Sequence, residues 1–268
     1  MDLKEILQKI KVTAVTIGAS TETDRDFTSR IAENYVELSN AKIVDRVQWV
    51  EEGNCYGHSV VGTVATKDIG DIKKLTVHYT YDNKNWTFIE AYFVRKASNG
   101  IYVWDFETPL NLPDRKDKDF LCRFAIKYEV DGKEYWDNNK ENDYYLWTKY
   151  EYDDDNDLRY VLGNINVSVI DFGRACDYNK SSKDYLAGTI ILRNLYYSKE
   201  VRVRYTTDNW KSFKEERAYY KWNNSDFIEL WSFVIPDIPK DDKVQFCISY
   251  TVGGKTYWDN NFQDNYQV

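Results

Sequence analysis

The residues best suited to chemistry stand in one short motif that occurs twice, at Tyr135–Asn139 and at Tyr257–Asn261. Each copy reads Tyr-Trp-Asp-Asn-Asn and follows a two-residue turn at the end of an alternating run. Because neighbouring strand residues face opposite sides, a Tyr that packs inward directs the following Trp, Trp136 or Trp258, toward solvent. An exposed indole can stack on the apolar face of a sugar ring while nearby amides hydrogen-bond its hydroxyls. The motif therefore indicates a carbohydrate contact.

A second Trp in each copy stands among Asp and Asn residues, which are typical of a turn and unfavourable for a core position. An Asn pair can also do no more than close a turn, but its recurrence beside Trp in both copies favours binding. The candidate sugar ligands are Trp86, Trp136 and Asn138 in the first copy, and Trp210, Trp258, Asn260 and Asn265 in the second.

The wider chain is a duplication, since several further segments recur in the same order and at nearly constant spacing. The matched segments are Gly62-Thr63 with Gly188-Thr189, Asn85-Trp86 with Asn209-Trp210, Trp104–Phe106 with Trp231–Phe233, and Lys133–Asn139 with Lys255–Asn261. An acidic stretch, 151–157, lies between the copies and is typical of a solvated linker. We predict an N-terminal segment at 1–26, a first module at 27–150 and a second module at 151–268.

Within each copy the apolar residues recur at every second position, as at Val201, Val203 and Tyr205. This alternation predicts strands with one face on a core. Asp131-Gly132 and Gly253-Gly254 supply the residues of tight hairpin turns. The predicted fold is all-β, with two tandem immunoglobulin-like antiparallel β-sandwiches. A short N-terminal helix is predicted from a stripe of four apolar residues, Leu3, Ile6, Leu7 and Ile10.

Composition narrows the function classes. Among the 268 residues, 16% are aromatic, and the net charge of −8 argues against nucleic acid as a partner. The sequence contains no apolar run of the roughly 20 residues that a membrane-spanning helix needs, and no pattern for a metal or another cofactor. The four cysteines, Cys55, Cys122, Cys176 and Cys247, do not recur at matching positions. We therefore expect reduced thiols and a cytoplasmic protein.

Residues 160–268, and more loosely 34–148, resemble carbohydrate-binding module family 21. The resemblance rests on Gly188–Tyr205, Asp208–Trp210 and the motif Tyr257–Asn261 followed by Asn265-Tyr266. It implies an α-glucan ligand, glycogen or starch, bound on a main platform formed by the Trp and Asn residues named above. It also places one family aromatic at Ala125 and Cys247, where neither copy keeps it.

The same resemblance implies a second sugar site, formed by Tyr197 with a nearby Tyr, Tyr219 or more specifically Tyr220. The first copy has Asp71 at the position of Tyr197, and Asp143 at the position of Asn265. We therefore expect the first copy to lack the second site and to bind its ligand more weakly.

Three classes of function remain to be separated. Catalysis is not expected, because the only carboxylates in the paired motifs, Asp137 and Asp259, stand one in each module. A glycogen-targeting regulatory subunit of type 1 protein phosphatase is one alternative, since Arg46–Trp49 matches a short phosphatase-docking pattern. Its alternation favours a strand of the first module instead. A starch-binding appendage of an amylolytic enzyme is the other alternative.

Overall fold

The computed structural model describes residues 31, 33–50, 53–112, 119–149, 157–176 and 183–268. The predicted helix of the N-terminal segment lies outside the described residues. In the described ranges there is no helix long and apolar enough to cross a membrane. The fold is almost entirely antiparallel β-structure, which confirms the predicted all-β class.

Two compact units divide the chain, one within 1–96 and 100–164, the other within 97–99 and 165–268. The sequence placed the boundary at 150, whereas the contacts assign residues up to 164 to the first unit. The reason is that 160–162 form a short strand on the first sheet, where Asn40 pairs with Leu162.

The first unit contains ten strands: β1 (Val36–Val50), β2 (Gly53–Lys67), β3 (Lys73–Thr80), β4 (Thr87–Glu90), β5 (Tyr92–Lys96), β6 (Ile101–Glu107), β7 (Phe120–Val130), β8 (Lys133–Asp137), β9 (Tyr144–Thr148) and β10 (Tyr160–Leu162). They form one sheet in the order β10-β1-β2-β6-β5 and another in the order β4-β3-β7-β8, with β9 also paired to β7. Apolar residues from both sheets, such as Leu38, Val64, Val77 and Phe124, share one core.

The second unit repeats this plan with nine strands: β11 (Val167–Cys176), β12 (Lys183–Arg193), β13 (Lys199–Thr206), β14 (Lys214–Arg217), β15 (Tyr219–Ser225), β16 (Ile228–Pro239), β17 (Gln245–Val252), β18 (Lys255–Asp259) and β19 (Tyr266–Gln267). Its sheets run β11-β12-β16-β15 and β14-β13-β17-β18, with β19 paired to β17. The core again draws on both sheets, including Leu186, Ile190, Val203 and Phe246.

The repeated Gly-Thr dipeptides have a packing cause. A Cβ atom on Gly62 would lie 2.6 Å from the Phe106 ring, and one on Gly188 would lie 2.5 Å from the Phe233 ring. Each glycine thus lets a core phenylalanine lie directly against the backbone of the neighbouring strand.

The hairpin turns that precede the paired motifs also form as predicted. Asp131 and Gly132 have φ angles of 48° and 79°, and Gly253 and Gly254 have 57° and 78°. Two successive left-handed residues make a turn whose twist matches that of the flanking strands. The turn fixes the register of β8 on β7 and of β18 on β17, and so decides which side chains face outward.

The segment Arg46–Trp49 lies within β1, where Val47 pairs with Tyr56 of β2. Arg46 donates to Glu107 Oε1 through Nε at 3.1 Å and Nη2 at 2.8 Å. The strand interpretation of this segment is therefore confirmed.

Candidate carbohydrate-binding site

The two motif tryptophans face outward from equivalent hairpins. Tyr135 pairs with Tyr128 across β7–β8 and is half-buried, whereas the adjacent Trp136 is 46% exposed. On β17–β18, Trp258 follows the half-buried Tyr257 and is 45% exposed. The predicted outward orientation of both indoles is confirmed, and their contact with sugar stays a prediction.

The aspartate of each motif anchors the loop that follows it. Asp137 Oδ2 accepts the backbone N–H of Leu38 at 2.7 Å, and Asp137 also accepts the Tyr144 hydroxyl at 2.9 Å. Leu38 lies at a register shift between β1 and β2. The carboxylate therefore accepts a hydrogen bond from a backbone N–H at a point where the strand pairing is irregular. Burial of the carboxylate raises the pKa of Asp137, although these hydrogen bonds oppose the rise.

The second module repeats this anchor. Asp259 Oδ2 accepts the backbone N–H of Val169 at 2.6 Å and the Tyr266 hydroxyl at 2.8 Å. Val169 also lies at a register shift, that of β11 on β12. The pKa of Asp259 is likewise raised by burial. Each motif aspartate thus fastens the loop that bears the asparagines to a strand of the other sheet, and so holds those asparagines in place.

The two asparagines of each motif have different roles. The second, Asn139 or Asn261, donates through Nδ2 to the carbonyl of residue 143 or 265 at 2.9 Å and closes the loop. The first, Asn138 or Asn260, accepts a backbone N–H through Oδ1 at 3.0 Å. Among the described residues no hydrogen bond uses the Nδ2 group of either first asparagine, so each keeps donor capacity for a ligand.

The loops after the motifs, 138–143 and 260–265, are called the amide loops. Each contains three consecutive non-glycine residues in the left-handed region, with φ of 50°, 56° and 69° at 139–141 and of 51°, 60° and 73° at 261–263. Such a conformation costs roughly 1 kcal/mol or more per residue. Its retention in both modules shows that the aspartate anchor and the asparagine closure impose a defined loop shape.

The modules differ at the end of the amide loop. In the first module, Asp143 Oδ2 accepts Arg123 Nε at 2.6 Å, and the Arg123 guanidinium lies 5.4 Å from the Trp86 ring centroid and 5.2 Å from that of Tyr145. In the second module Asn265 occupies the position of Asp143. An ion pair therefore lies beside the first site where the second has a neutral amide.

Each motif Trp belongs to a layer of three side chains on the outer face of its sheet. In the first module His78 lies 5.6 Å from the Phe88 ring and 5.0 Å from the Trp136 ring, between centroids. We call Phe88, His78 and Trp136 the first platform. Phe88 and His78 are not among the residues predicted from the sequence, although the alternation along β3 and β4 is a signal that could have placed both side chains outward.

The corresponding layer of the second module consists of Phe213, Arg204 and Trp258, and we call it the second platform. The Arg204 guanidinium lies 4.5 Å from the Phe213 ring and 4.9 Å from the Trp258 ring. Glu215 Oε1 accepts both Nε and Nη2 of Arg204 at 2.8 Å, which fixes the plane of the guanidinium. Phe213 is 55% exposed and extends the apolar surface beyond the indole.

The remaining predicted tryptophans, Trp86 and Trp210, do not occupy equivalent positions. Trp86 directly precedes β4 and is 44% exposed, whereas the residue that directly precedes β14 is Phe213. Trp210 is half-buried with a φ of 64°, and its indole Nε1 is enclosed without a hydrogen-bond partner among the described residues. The turns align through the left-handed Asn83 and Asn209, so the repeated Asn-Trp dipeptide is not a structural match.

A family model for carbohydrate/starch-binding module family 21 matches residues 38–147 and 174–268. The chain belongs to this family. Each matched range covers most of one sandwich and includes one complete Tyr-Trp-Asp-Asn-Asn hairpin and its amide loop.

Curated relatives carry similar modules. The chain is 36% identical over 99 residues to rat protein phosphatase 1 regulatory subunit 3C, covering 35% of this chain and 31% of the relative. It is 34% identical over 108 residues to the GLC7-interacting protein 2 of Saccharomyces cerevisiae, covering 36% and 20%. The chain thus spans about a third or less of the length of these relatives.

Two solved structures are also similar. One is the carbohydrate-binding module of the muscle glycogen-targeting subunit of protein phosphatase 1, at 31% identity, with coverage of 38% of this chain and 73% of that one and a TM-score of 0.31. The other is the starch-binding domain of Rhizopus oryzae glucoamylase, at 30% identity, with coverage of 39% and 93% and the same TM-score of 0.31.

The aromatics predicted for a second site of the family 21 module lie on different elements. Tyr197, in the loop between β12 and β13, is fully exposed, and Tyr220 on β15 is 51% exposed. Tyr220 donates its hydroxyl to Asn223 Oδ1 at 3.2 Å. No contact between Tyr197 and Tyr220 is found in the described part of the chain, so a shared site stays a prediction.

The first family 21 module has aromatic residues where the second has Tyr219 and Tyr220. Tyr92 and Phe93 on β5 pair with Asp105 and Trp104 of β6, and they are 59% and 49% exposed. The expectation that this module lacks a second site rests on Asp71 alone, because the β5 aromatics are present.

The anchor role of the motif aspartates predicts a loss of stability on a nearly isosteric change. Besides the N–H of Leu38 at Oδ2, Asp137 accepts the N–H of Asn139 at Oδ1, at 3.2 Å. Asp137→Asn places an amide donor against one of these two N–H groups, so we expect the free energy of unfolding of the first module to fall by about 1–3 kcal/mol. Urea denaturation with fluorescence detection measures the change. Glu134→Gln, on the same strand, is the control: it removes only the ion pair with Lys127, in which the Glu134 side chain is exposed, so it should lower stability far less than Asp137→Asn. Equal midpoints for the two variants would contradict the anchor role.

Proposed function

We propose that this chain binds α-glucan, glycogen or starch, without catalysis, through both of its family 21 modules. The observation that carries the proposal is the recurrence of one arrangement in both modules, an exposed Trp on a layered platform beside a rigid amide loop. A flat apolar surface suits the C–H face of a glucose ring, and the Nδ2 groups of Asn138 and Asn260 suit its hydroxyls.

The proposal assigns contact with the ligand to the nine predicted residues and adds the platform residues Phe88 and Phe213. Trp136 and Trp258 are the proposed stacking surfaces, because each is exposed and layered against other planar groups. Trp210 is the weakest stacking candidate by exposure, but its enclosed Nε1 leaves a donor for a ligand or a bound water. Tyr197 and Tyr220 are proposed as a separate, second surface.

The absence of catalysis is part of the proposal. The motif carboxylates, Asp137 and Asp259, are already engaged by backbone N–H groups and tyrosine hydroxyls. A glycosidase of the usual kind needs two carboxylates about 5–9.5 Å apart, one of which acts as a proton donor. Each motif supplies a single carboxylate that serves the loop instead.

Retention on polysaccharides tests this proposal directly. We expect the chain to cosediment with glycogen and with insoluble starch but not with cellulose, and maltoheptaose should release it. Millimolar to micromolar affinity corresponds to roughly −4 to −8 kcal/mol for each site. Equal retention on cellulose, or no retention on any of the three, would overturn the proposal.

Duplication predicts a gain on polymers through avidity. Two modules in one chain should raise affinity for glycogen by up to about 10² over a variant with one working platform. The ratio should be small on maltose, which is too short to contact two modules together. Titration of the chain and of its Trp136→Ala variant with both ligands measures the ratio, and equal ratios on both would contradict avidity.

Targeting of type 1 protein phosphatase to glycogen is the second candidate function. It is favoured by the relatives, which are named as regulatory subunits of that phosphatase. The segment Arg46–Trp49 is paired in β1, so docking through it requires that the phosphatase accept a strand edge or an opened hairpin. Pull-down of the catalytic subunit by the chain, with and without Val47→Ala, tests this candidate. An appendage of an amylolytic enzyme remains the other prediction.

We also propose a cytoplasmic location. Support comes from Cys122 and Cys247, which are buried free thiols at positions that do not match between the modules. Burial raises the pKa of both thiols, that of Cys247 to about 11, so neither is a reactive thiolate near neutral pH. Fractionation of the native cells with detection of the chain tests the location.

A further inference from the structure

The two platforms share the strand position of their central residue and the motif Trp, but they differ in the chemistry of that central residue. Their phenylalanines come from different positions, because Phe88 of β4 pairs with His78, whereas Phe213 precedes β14 and Glu215 pairs with Arg204. His78 of the first platform pairs with Ala125 across β3–β7, and Arg204 of the second pairs with Cys247 across β13–β17. These are equivalent positions. Each central side chain lies between the motif Trp and a Phe, at 5.0 and 5.6 Å for His78 and at 4.9 and 4.5 Å for Arg204.

We propose that the central residue is a positioning residue for glucan binding, and that His78 makes the first module pH-dependent while Arg204 keeps the second module constantly active. This inference rests on the proposed function. A planar cation between two aromatic faces stabilises their mutual orientation by cation–π attraction. Arg204 carries its charge at every pH of interest, whereas an imidazole gains its charge only on protonation.

The surroundings of His78 set where that protonation occurs. Phe88, from β4, brings no charge. Arg123 and Lys127 flank it from β7, and Lys127 is paired with Glu134 of β8 at 2.9 Å and with Glu129 at 3.3 Å. Arg123 is held by Asp143.

The pKa of His78 is lowered from 6.5, chiefly by burial and then by Lys127, while Glu134 opposes the shift. His78 is therefore neutral near pH 7 and gains its charge only below its ordinary range.

The arrangement of Phe88, His78 and Trp136 predicts the direction in which pH changes the affinity of the first module for glucan. Lys127 Nζ already lies 5.9 Å from the Trp136 ring centroid, but only protonated His78 puts a cation between Trp136 and Phe88, as Arg204 lies between Trp258 and Phe213. The first module should therefore bind glucan more tightly as the pH falls from 7.5 to 5.0. A cation–π contribution at an exposed site corresponds to an increase of about two- to fivefold in affinity. By reciprocity, bound glucan should raise the pKa of His78.

The chain supplies its own controls. In the full chain, Trp258→Ala disables the second platform and leaves the first to be measured, and Trp136→Ala does the reverse. Calorimetric titration with maltoheptaose across pH 5.0–7.5 should show the increase only in the Trp258→Ala chain. Adding His78→Arg to that chain should remove the pH dependence, and adding Arg204→His to the Trp136→Ala chain should create one.

A second readout does not depend on ligand affinity alone. The chain has two histidines, so the imidazole NMR signals are few, and His78→Gln assigns them. We expect the His78 signal to titrate below 6.5 without ligand and at higher pH with maltoheptaose. A pH dependence that survives His78→Gln, or affinity that does not vary with pH, would overturn the inference. Absence of binding at every pH in both chains would overturn the proposed function together with it.

Discussion

A chain that carries both Trp136→Ala and Trp258→Ala is expected to lose at least 100-fold in affinity for glycogen while it stays folded. One face of an indole offers roughly 100 Å² of apolar surface, and its burial contributes about 2.5 kcal/mol. This corresponds to about 60-fold for each site. Loss of both sites also removes avidity on a polymer.

The measurement is cosedimentation with glycogen, together with calorimetric titration of maltoheptaose for each single variant. The matched control is Trp222→Ala, which removes an indole of 53% exposure on β15, in the sheet of the second module that does not carry its platform. Circular dichroism and thermal melting should be the same for all variants, because neither motif Trp is part of a core. Glycogen binding by the folded double variant at the level of the Trp222→Ala control would show that the platforms are not the site.

Replacement of Lys199 by Met is expected to produce the largest loss of stability, about 3–5 kcal/mol, since it leaves a buried carboxylate unpaired. Lys199 Nζ lies 3.0 Å from Glu229 Oε1, and the two side chains are only 6% and 8% exposed. Glu229 also accepts Trp231 Nε1 at 2.9 Å, and Lys199 donates to Asn194 Oδ1 at 2.7 Å. The ion pair therefore links β13 and β16 to the loop that bears Tyr197.

Urea denaturation of the full chain measures this loss in the transition of the second module. The first module offers a matched control in Lys73→Met, because Lys73 begins β3 as Lys199 begins β13. Its pair with Asp68, at 3.1 Å, is more exposed, with side chains 14% and 29% accessible. The expected loss there is about 1 kcal/mol or less. Equal losses at the two positions would show that burial does not determine the contribution of these pairs.

The effect of Lys199→Met on the loop that bears Tyr197 can be measured separately from its effect on the stability of the second module. At a urea concentration far below the transition, the Lys199→Met chain remains folded, but the loop of Tyr197 loses the hydrogen bond from Lys199 Nζ to Asn194 Oδ1. Asn194 keeps the hydrogen bonds of its backbone N–H to Phe227 O at 2.8 Å and of its Nδ2 to Asp226 O at 3.3 Å. If Tyr197 contributes to a second sugar surface, as proposed, binding there should weaken while binding at Trp258 is retained. Glu229→Gln separates the effect on stability from the effect on the loop. It removes the ion pair, but it keeps an acceptor for Trp231 Nε1 and leaves Lys199 in place to donate to Asn194.

Much of the fold could be predicted from the sequence because its signals are local. Alternation at every second residue placed Tyr135 inside and Trp136 outside, since adjacent strand residues must face opposite sides. The Asp131-Gly132 turn fixed the register of that hairpin within a few residues. The duplication added strength, because each local pattern was read twice. Strand existence, hairpin pairing and the exposure of the motif tryptophans followed from such short-range constraints.

The arrangement of the site depended on contacts between distant residues. From the sequence alone, the motif aspartate Asp137 is only a carboxylate without a catalytic partner in its module. Its partner Leu38 is 99 residues away, and only strand packing reveals that the carboxylate anchors the loop. The repeated Asn-Trp dipeptide predicted equivalent tryptophans, whereas the left-handed conformation of Asn83 aligns the turns differently. The backbone conformation at Asn83 and Asn209, which cannot be read from the residue types, determines which positions of the two turns are equivalent.

The two platforms likewise combine features that local sequence predicts with features that depend on contacts between distant residues. Sequence alone determined that this protein is a duplicated β-sandwich chain with an exposed Trp and neighbouring amides in each copy. Only the tertiary structure decided that His78 and Arg204 lie at the centres of those surfaces. The sheet order β4-β3-β7-β8 brings together strands that are far apart in the chain, and their register is set by long-range pairing and core packing rather than by any local pattern.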